Sequence, residues 1–171
     1  MHQYSFTATF IYGFNTIIAR RALWEDLRRW VTDSPWILLG DFNSILSQDD
    51  KHNGEPISNY EISDFMECCA DLGITDLNST GCHFTWTNGT VWTKIDRVMV
   101  NTHWFTLQQM AHIHFGAPGA FSDHSPTSVQ LRLQELHGKR IFKFINMWAA
   151  HSQFLEVISR HWTMDIYGSH M

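Results

Sequence analysis

The spacing of apolar residues changes several times along the first part of the chain, and each spacing predicts a different element. Residues 5–13 are rich in Phe, Thr and Ile and end in glycine, which predicts a strand. Over residues 16–33 the apolar positions recur at helical spacing, so we expect a helix there. The unbroken apolar run at 36–40 is typical of a strand that is buried on both faces.

A second helix is predicted over residues 58–73. Ser58 and Glu61 have the spacing of a capping box at its start, and Gly73 stands where a C-terminal glycine is expected. Residues 49–56 are polar and contain Gly and Pro, which indicates a loop between the buried strand and this helix.

After residue 73 the pattern changes to short strands separated by turn residues. Asn88-Gly89 lies between aromatic and β-branched runs and predicts a hairpin, while the alternation over 127–133 predicts a half-buried strand. Strands are predicted at 74–77, 82–87, 93–101, 111–115 and 127–133, with a turn at 78–81 and helical turns at 102–109. Helices and strands mixed in this order predict an α/β layered fold.

The pattern near the end of the chain predicts a boundary. Residues 136–139 form a polar linker that contains glycine, and the aromatic segment 142–162 then carries apolar residues at helical spacing in its second half. We therefore expect one domain at 1–135 and a connector segment, partly helical, at 136–171.

Composition narrows the class of protein. With 171 residues and 44% hydrophobic positions, the chain has enough apolar surface for one domain with a real core. Its formal net charge of −5 excludes a generic basic nucleic-acid binder that is held by charge alone. The arginines of the first helix are interpreted as a solvated face, and a phosphate-tracking patch is the alternative; they are Arg20, Arg21, Arg28 and Arg29.

Cysteine use and apolar run length indicate a reduced, intracellular and soluble setting. Three cysteines give no even disulfide framework, and no segment approaches the roughly 18 apolar residues of a membrane span. Cys82 and His83 do not predict a zinc pair, because adjacent strand residues point to opposite faces. The first residues lack a secretory signal pattern, so we expect neither secretion nor a membrane partner.

Asp41 and Asn43 follow the buried strand directly. In extended backbone, residues two apart point to the same side, so a carboxylate and a carboxamide would converge there. Such a pair can orient a water molecule and hold a phosphate oxygen. The alternative is an ordinary strand-to-loop turn, since Asp and Asn favour turns.

Asp96 lies among apolar residues in a predicted strand and needs a partner if it is buried. His124, in the turn before the last strand, is the expected partner, because an Asp–His pair fixes the imidazole tautomer and stabilises its protonated form. Asp123 would then be free to bind a hard divalent cation. A simple polar turn is the alternative interpretation of Ser122-Asp-His-Ser125.

Four segments occur in an order that resembles the second half of the sequence pattern of the endonuclease/exonuclease/phosphatase family. They are Tyr12–Asn15, Gly40–Asn43, Lys94–Arg97 and Ser122–Ser125. Within that family they most resemble the endonuclease domain of plant LINE-type (non-LTR) retrotransposons. The resemblance implies a partial four-layer α/β sandwich of the DNase I-like kind. It implies hydrolysis of DNA phosphodiesters with Mg²⁺ (or Mn²⁺), no organic cofactor, and nuclear residence.

The resemblance also implies roles for individual residues. Asp41 would align or deprotonate the attacking water, and Asn43 would contact the scissile phosphate. Asp96 would orient His124, which would stabilise the developing negative charge, and Asp123 would help to hold the metal.

Three further positions receive roles from the same resemblance. Tyr12 would contact the phosphate from the first strand. Asn15 and Thr85 would be secondary contacts to phosphate or nucleic acid. Trp86 is interpreted as a core residue, with a base-stacking platform as the alternative.

The family pattern also places an Asn and a metal-binding Glu before the position of Tyr12. We therefore expect a truncation at the N-terminus and weak or absent activity. One alternative function is a non-catalytic remnant that self-associates through exposed sheet edges. Another is a related enzyme that acts on a small phosphoester.

Overall fold

The computed structural model describes residues 5–107, 109–119, 122–133 and 153–162. The chain divides into two units, Met1–Glu135 and Leu136–Met171. In the first unit the helices are α1 (Ile17–Arg29) and α2 (Asn59–Leu72), with 3₁₀ turns at Gln48–Asp50 and Thr102–Thr106. Its strands are β1 (Thr7–Tyr12), β2 (Trp36–Asp41), β3 (Lys51–His52), β4 (Ile74–Asp76), β5 (Ser79–Gly81), β6 (Trp86–Thr87), β7 (Trp92–Thr93), β8 (Asp96–Asn101), β9 (Gln109–Phe115) and β10 (Thr127–Leu133).

The described part of the second unit contains helix α3 (Phe154–Trp162), where the apolar spacing predicts a helix. The predicted linker at 136–139 and the first part of the aromatic segment, 142–152, lie outside the described residues. The assignment of this unit as a connector stays a prediction.

A four-stranded sheet in the order β1-β2-β8-β4 forms the centre of the first unit. Strands β1 and β2 are parallel, and the other neighbours are antiparallel. Helices α1 and α2 cover one face, where Trp24 stacks on Phe65 with ring centroids 4.7 Å apart. On the other face Ile37 and Val98 share a buried cluster with Ile113 of β9. Helices, central sheet and second sheet thus form layers, which confirms the α/β prediction.

Two smaller sheets complete the unit, in the orders β10-β9-β5 and β3-β7-β6. The hairpin predicted at Asn88-Gly89 is confirmed, because β6 and β7 pair in antiparallel fashion around it. The predicted turn at 78–81 is wrong, since residues 79–81 form β5 and pair in parallel with β9. The strand predicted at 127–133 is present; Val129 packs against the core, whereas Leu131 is exposed.

The strand predicted at 93–101 is interrupted at Lys94 and Ile95. The amide of Lys94 donates to the Asp50 carbonyl (2.8 Å), and the amide of Ile95 donates to the Thr85 hydroxyl (3.1 Å). These bonds replace ladder pairing at the break. Strand β8 consequently begins at Asp96 rather than running through it.

Two glycines let the ends of β1 and β2 approach closely. Gly40 has φ +135°, and a Cβ atom there would lie 2.1 Å from the Ile11 carbonyl oxygen. A Cβ on Gly13 would lie 2.4 Å from the Phe42 carbonyl oxygen. Only glycine fits both positions, so these residues set where the polar strand ends meet.

The arginines of α1 form the solvated face interpreted from the sequence only in part. Arg20 is buried and donates through Nη1 to the backbone carbonyls of Phe14 (3.0 Å) and Asn15 (3.1 Å). Arg21 pairs with Asp64 (2.7 Å) and Arg28 with Asp71 (2.8 Å), which ties α1 to α2. Arg29 and Arg21, with side chains 70% and 47% exposed, are the members of the set that fit the prediction.

Candidate active site

Three of the predicted site residues lie in one row at the end of the central sheet. Tyr12 of β1 is opposite Asp41 of β2, and Asp41 is opposite Asp96 of β8. Side chains of directly opposed residues point to the same face of a sheet, so the strand pairing itself brings the two carboxylates together. Tyr12 is at the outer edge of the row and is 83% exposed.

Asp41 and Asn43 contact each other at the end of β2. Asp41 Oδ1 accepts a hydrogen bond from the Asn43 backbone amide (2.7 Å), and Asp41 Oδ2 accepts one from Asn43 Nδ2 (3.0 Å). Asn43 has φ +51°, in the left-handed region, so the extended backbone that we expected is wrong. A tight turn, rather than strand alternation, makes the side chains converge.

The Asn43 side chain also connects the site to the segment after β1. Its Nδ2 atom lies 3.2 Å from the Gly13 carbonyl oxygen and 3.0 Å from Asn15 Oδ1. Asn15 therefore belongs to the same polar cluster as Asp41, as the resemblance implies. The carboxamide of Asn43 is held by these contacts before any substrate arrives.

Burial raises the pKa of the Asp41 carboxyl above its usual range, and the charge on Asp96 raises it further. The backbone hydrogen bond from Asn43 acts in the opposite direction but does not cancel the rise. A carboxylate with a raised pKa is a stronger proton acceptor than an ordinary exposed aspartate. The environment of Asp41 therefore suits a general base.

His124 forms the pair with Asp96 that the sequence predicts: Nδ1 lies 2.9 Å from Asp96 Oδ2. Its backbone amide donates to Ser122 Oγ (3.1 Å), which fixes the turn before β10. Burial alone would lower the pKa of His124, but the hydrogen bond and charge of Asp96, with smaller contributions from other carboxylates, leave it raised. A cavity of about 270 Å³ opens beside this histidine.

Thr85 is not at the surface of the site but beneath it, with no exposed area. Its hydroxyl oxygen accepts hydrogen bonds from the backbone amides of Ile95 (3.1 Å) and Asp96 (2.9 Å). A fully buried side chain offers no surface to DNA, so the predicted direct contact of Thr85 with nucleic acid is corrected. In the structure Thr85 lies beside Asp96, the first residue of β8, but the sequence does not show this closeness.

Asp123, the predicted metal ligand, is engaged through one of its two carboxylate oxygens. Its Oδ2 atom accepts a hydrogen bond from Trp86 Nε1 (2.8 Å), and its carbonyl oxygen accepts one from the Thr87 amide (3.0 Å). Trp86 is half-buried and packs against a small apolar cluster, so it is part core and part hydrogen-bond donor. This link between Trp86 and Asp123 was missed by sequence reasoning.

The described residues do not by themselves form a metal site. Within residues 5–107, 109–119, 122–133 and 153–162, no group of three or more His, Cys, Asp or Glu side chains could hold an ion. Both oxygens of Asp41 accept hydrogen bonds, and one oxygen each of Asp96 and Asp123 is also engaged. Mg²⁺ usually keeps several water ligands and binds proteins through one or two carboxylates, and the second oxygens of Asp96 and Asp123 are the ligand atoms that remain here. The predicted Mg²⁺ or Mn²⁺ site at Asp123 stays a prediction.

A larger cavity, of about 700 Å³, opens beside Asn15 and Asn43. Arg20 and Lys51 contribute positive charge to its lining, and Glu61 contributes negative charge. This cavity lies between the polar strand ends and the first turns of α1 and α2, so it provides space for a substrate beside the site. Its mixed charge does not select one chemical class.

The family comparison covers this whole arrangement. The sequence model of the endonuclease/exonuclease/phosphatase family matches residues 10–124, a stretch that begins in β1 and ends at His124. The chain belongs to this family. Its mixed α/β structure has the DNase I-like fold, as the resemblance implied.

Among solved structures, this family member is similar to a 3′ phosphatase from Neisseria bound to product DNA hairpin, with a TM-score of 0.55 and 21% sequence identity. The match covers 73% of this chain and 60% of that chain, so our chain spans less than two thirds of that structure. The likeness shows a shared fold. No curated protein matches the sequence. In the part of the chain that the structure describes, we find no helix with the length and apolar character needed to span a membrane.

Proposed function

We propose that this member of the endonuclease/exonuclease/phosphatase family hydrolyses phosphodiester bonds in DNA. The observation that carries the proposal is the pair of His124 and Asp96, 2.9 Å apart, beside the Asp41 carboxylate on the neighbouring strand. The pKa of Asp41 is raised by burial, which makes this carboxylate more basic, and the pKa of His124 is raised by Asp96, which favours the protonated imidazole. Hydrolysis of a phosphodiester needs both groups.

Asp41 acts as the general base in this proposal. The oxygen of a water molecule forms a new bond to phosphorus, its proton passes to Asp41, and the bond from phosphorus to the leaving oxygen breaks. Each carboxylate oxygen has two acceptor sites, so the bonds from Asn43 leave room for the water. Those bonds also fix the rotation of the Asp41 side chain, which keeps the base in one orientation.

His124 stabilises the negative charge that develops on the phosphoryl oxygens. Nδ1 is turned towards Asp96, which leaves Nε2 as the nitrogen that can donate to the substrate. Asp96 holds the ring in this orientation and favours the protonated form. A preformed donor of this kind costs little reorganisation during the reaction.

A divalent metal is proposed from the family, whose members generally use one. When bound, it would act as a Lewis acid on the phosphoryl oxygens. The described residues do not fit the ion alone, so every step above is assigned to this chain's own side chains. Comparison of rates with Mg²⁺, Mn²⁺ and EDTA tests the metal prediction separately.

The retroelement endonuclease is our finer proposal, together with DNA as partner and nuclear residence. It is supported by the resemblance of Lys94–Arg97 and Phe84–Asn88 to plant LINE-type endonucleases. Cleavage of duplex DNA in preference to a small phosphoester would support this branch. The reverse preference would favour the related phosphatases.

A second candidate function is association through the outer face of β1. Phe10 is 81% exposed on this strand, and Phe14 and Ile18 are also exposed. Among the described residues β1 is an edge strand, and edge strands with apolar side chains favour pairing with another chain. Oligomers that increase with protein concentration in sedimentation experiments, in a protein without nuclease activity, would support this function instead.

Nicking of supercoiled plasmid by the purified chain tests the main proposal. We expect Asp41→Asn and His124→Ala each to reduce the rate by about 10²–10⁴-fold, the usual contribution of a positioned acid or base. Asp33→Asn and His112→Ala are matched controls, because both side chains are exposed and away from the polar cluster. Unchanged rates in both site variants would contradict the proposal.

A further inference from the structure

Thr85 connects the two segments that carry the Asp96–His124 pair. Its hydroxyl oxygen accepts the backbone amide of Asp96 (2.9 Å), at the first residue of β8. Its carbonyl oxygen accepts the backbone amide of Ser125 (2.6 Å), the residue directly after His124. One buried residue therefore bonds to the backbone on both sides of the pair.

The surroundings of Thr85 leave these bonds little freedom. Thr85 has no exposed area, and its own amide donates to the Thr93 carbonyl (2.9 Å) across the hairpin. The amides of Ile95 and Asp96 are buried at the point where the strand is interrupted, and both use the Thr85 hydroxyl. If that hydroxyl were removed, two buried amides would lose their acceptor, which the structure can relieve only by moving the start of β8.

A movement at the start of β8 would act directly on the pair. The 2.9 Å contact joins side chains that project from two segments far apart in sequence. Its length therefore depends on how those segments are held relative to each other. Trp86, the next residue, adds a bond from its indole nitrogen to Asp123, on the other side of His124.

We propose that Thr85 is a positioning residue that sets the geometry of the Asp96–His124 pair through the backbone. It touches neither substrate nor the reacting atoms. The effect of Thr85 on catalysis rests on the proposed function, whereas its effect on the geometry of the Asp96–His124 pair does not. The two effects can therefore be tested separately.

The NMR signal of the His124 Nδ1–H proton is the direct test, because that proton lies in the 2.9 Å contact with Asp96. In Thr85→Val, which keeps the branched shape but lacks the hydroxyl, we expect this signal to shift or to be lost through faster exchange. In Thr85→Ser, which keeps the hydroxyl, we expect it to remain as in the unchanged protein. An unchanged Nδ1–H signal in folded Thr85→Val would overturn the inference.

Thr87→Val is the matched control in the same hairpin. The Thr87 hydroxyl bonds only to backbone atoms of the hairpin, donating to the Val91 carbonyl (2.9 Å) and accepting from the Gly89 amide (2.9 Å). Its loss should lower stability without changing the Nδ1–H signal of His124. A general loss of stability is thereby separated from a loss of position. An equal change of the Nδ1–H signal in both valine variants would contradict a special role for Thr85.

Hydrogen exchange keeps the inference testable if Thr85→Val does not fold. In the unchanged protein the amides of Asp96 and Ser125 should exchange with similar protection, because one residue holds both. Strong protection of Asp96 with free exchange of Ser125 would overturn the inference.

Kinetics then connect the inference to the proposed function. For a protein that nicks DNA, Thr85→Val should lower kcat by about 10-fold to 100-fold with little change in KM, as expected for a misplaced group. An unchanged kcat in the folded variant would contradict the inference. If the unchanged protein does not nick DNA, the proposed function fails while the NMR result still decides the role of Thr85.

Discussion

Consecutive residues of β8 enter two ionic clusters on opposite faces of the same sheet. Asp96 faces Asp41 and His124. Arg97, the next residue, faces the helices, where it is 1% exposed and bonds to Asp50 (2.5 Å) and Asp76 (2.6 Å). The alternation of side chains along a strand separates the two clusters, although they share one stretch of backbone.

The cluster around Arg97 is densely bonded, although the buried atoms Arg97 Nε and Asp76 Oδ1 have no hydrogen-bond partner among the described residues. Asp50 Oδ2 also accepts the backbone amides of Leu46 (2.7 Å) and Ser47 (3.1 Å), so the network fixes the loop after β2. Lys94 adds a second cation to Asp76, at 2.9 Å. The charged groups of this network are paired with one another, so they stabilise the fold rather than face a substrate.

The cluster around Asp96 is different because its members keep unused capacity. His124 is partly exposed and has one ring nitrogen left, and the pKa of Asp41 is raised by burial. Charge alone therefore does not mark the functional side of β8, since both sides are ionic. What distinguishes the candidate active site is that the pKa values of Asp41 and His124 are raised and that the His124 ring is partly exposed to solvent.

The largest effect on stability is expected on the Arg97 side. Arg97→Met removes the only guanidinium between two carboxylates in the described network, and the loss of one partner of a buried pair typically costs about 3–5 kcal/mol. We expect the free energy of unfolding, measured in urea, to fall by roughly that amount.

Arg29→Met is the matched control, because Arg29 forms only exposed pairs within α1. Its effect should be about 0.5 kcal/mol or less. If Arg97→Met unfolds at the same urea concentration as Arg29→Met, the network does not stabilise the fold and the comparison between the two faces of β8 fails.

On the Asp96 side the expected effect is on pH dependence. Asp96→Asn removes the bond and charge that raise the pKa of His124 and leaves burial, which lowers it. Because the protonated ring is the active form, the alkaline fall in nicking rate should move to lower pH.

The same pair predicts how stability depends on pH. The folded pKa of His124 is raised, so its contribution to stability is complete below the ordinary histidine pKa and is lost as pH rises through the raised value. His112→Ala provides the control for the loss of an exposed histidine. If the alkaline fall in the nicking rate occurs at the same pH in Asp96→Asn as in the unchanged protein, His124 does not control the rate.

Local signals predicted much of the fold. The Ser58–Glu61 capping box and the left-handed Gly73 at the end of α2 are both present, since such signals depend on neighbouring residues. The turn predicted at 78–81 failed because β5 is made by pairing with β9, which is distant in sequence. Pairing between distant segments overrides local turn propensity.

For the candidate site, residue types were predictable but their supports were not. Asp96 and His124 could be paired from the sequence, because a buried carboxylate needs a partner. The roles of Thr85 and Trp86 could not, since a hydroxyl or indole in a strand has many equivalent environments. Arg97 shows the same limit, because nothing local reveals that its partner is Asp50.

The smallest effect is expected at the edge of the candidate active site, where Trp86 donates to Asp123 (2.8 Å). Trp86→Phe keeps an aromatic ring in the apolar cluster but removes this bond, which is exposed, so stability should fall by about 1 kcal/mol. Trp92→Phe is the matched control, because Trp92 lies on the paired strand of the same hairpin and no indole bond is seen for it among the described residues. The difference between the two variants in urea unfolding measures the bond. A difference as large as that caused by Arg97→Met would mean that Asp123 is fixed as firmly as the buried network, and the contrast between an open and a closed face of β8 would be lost.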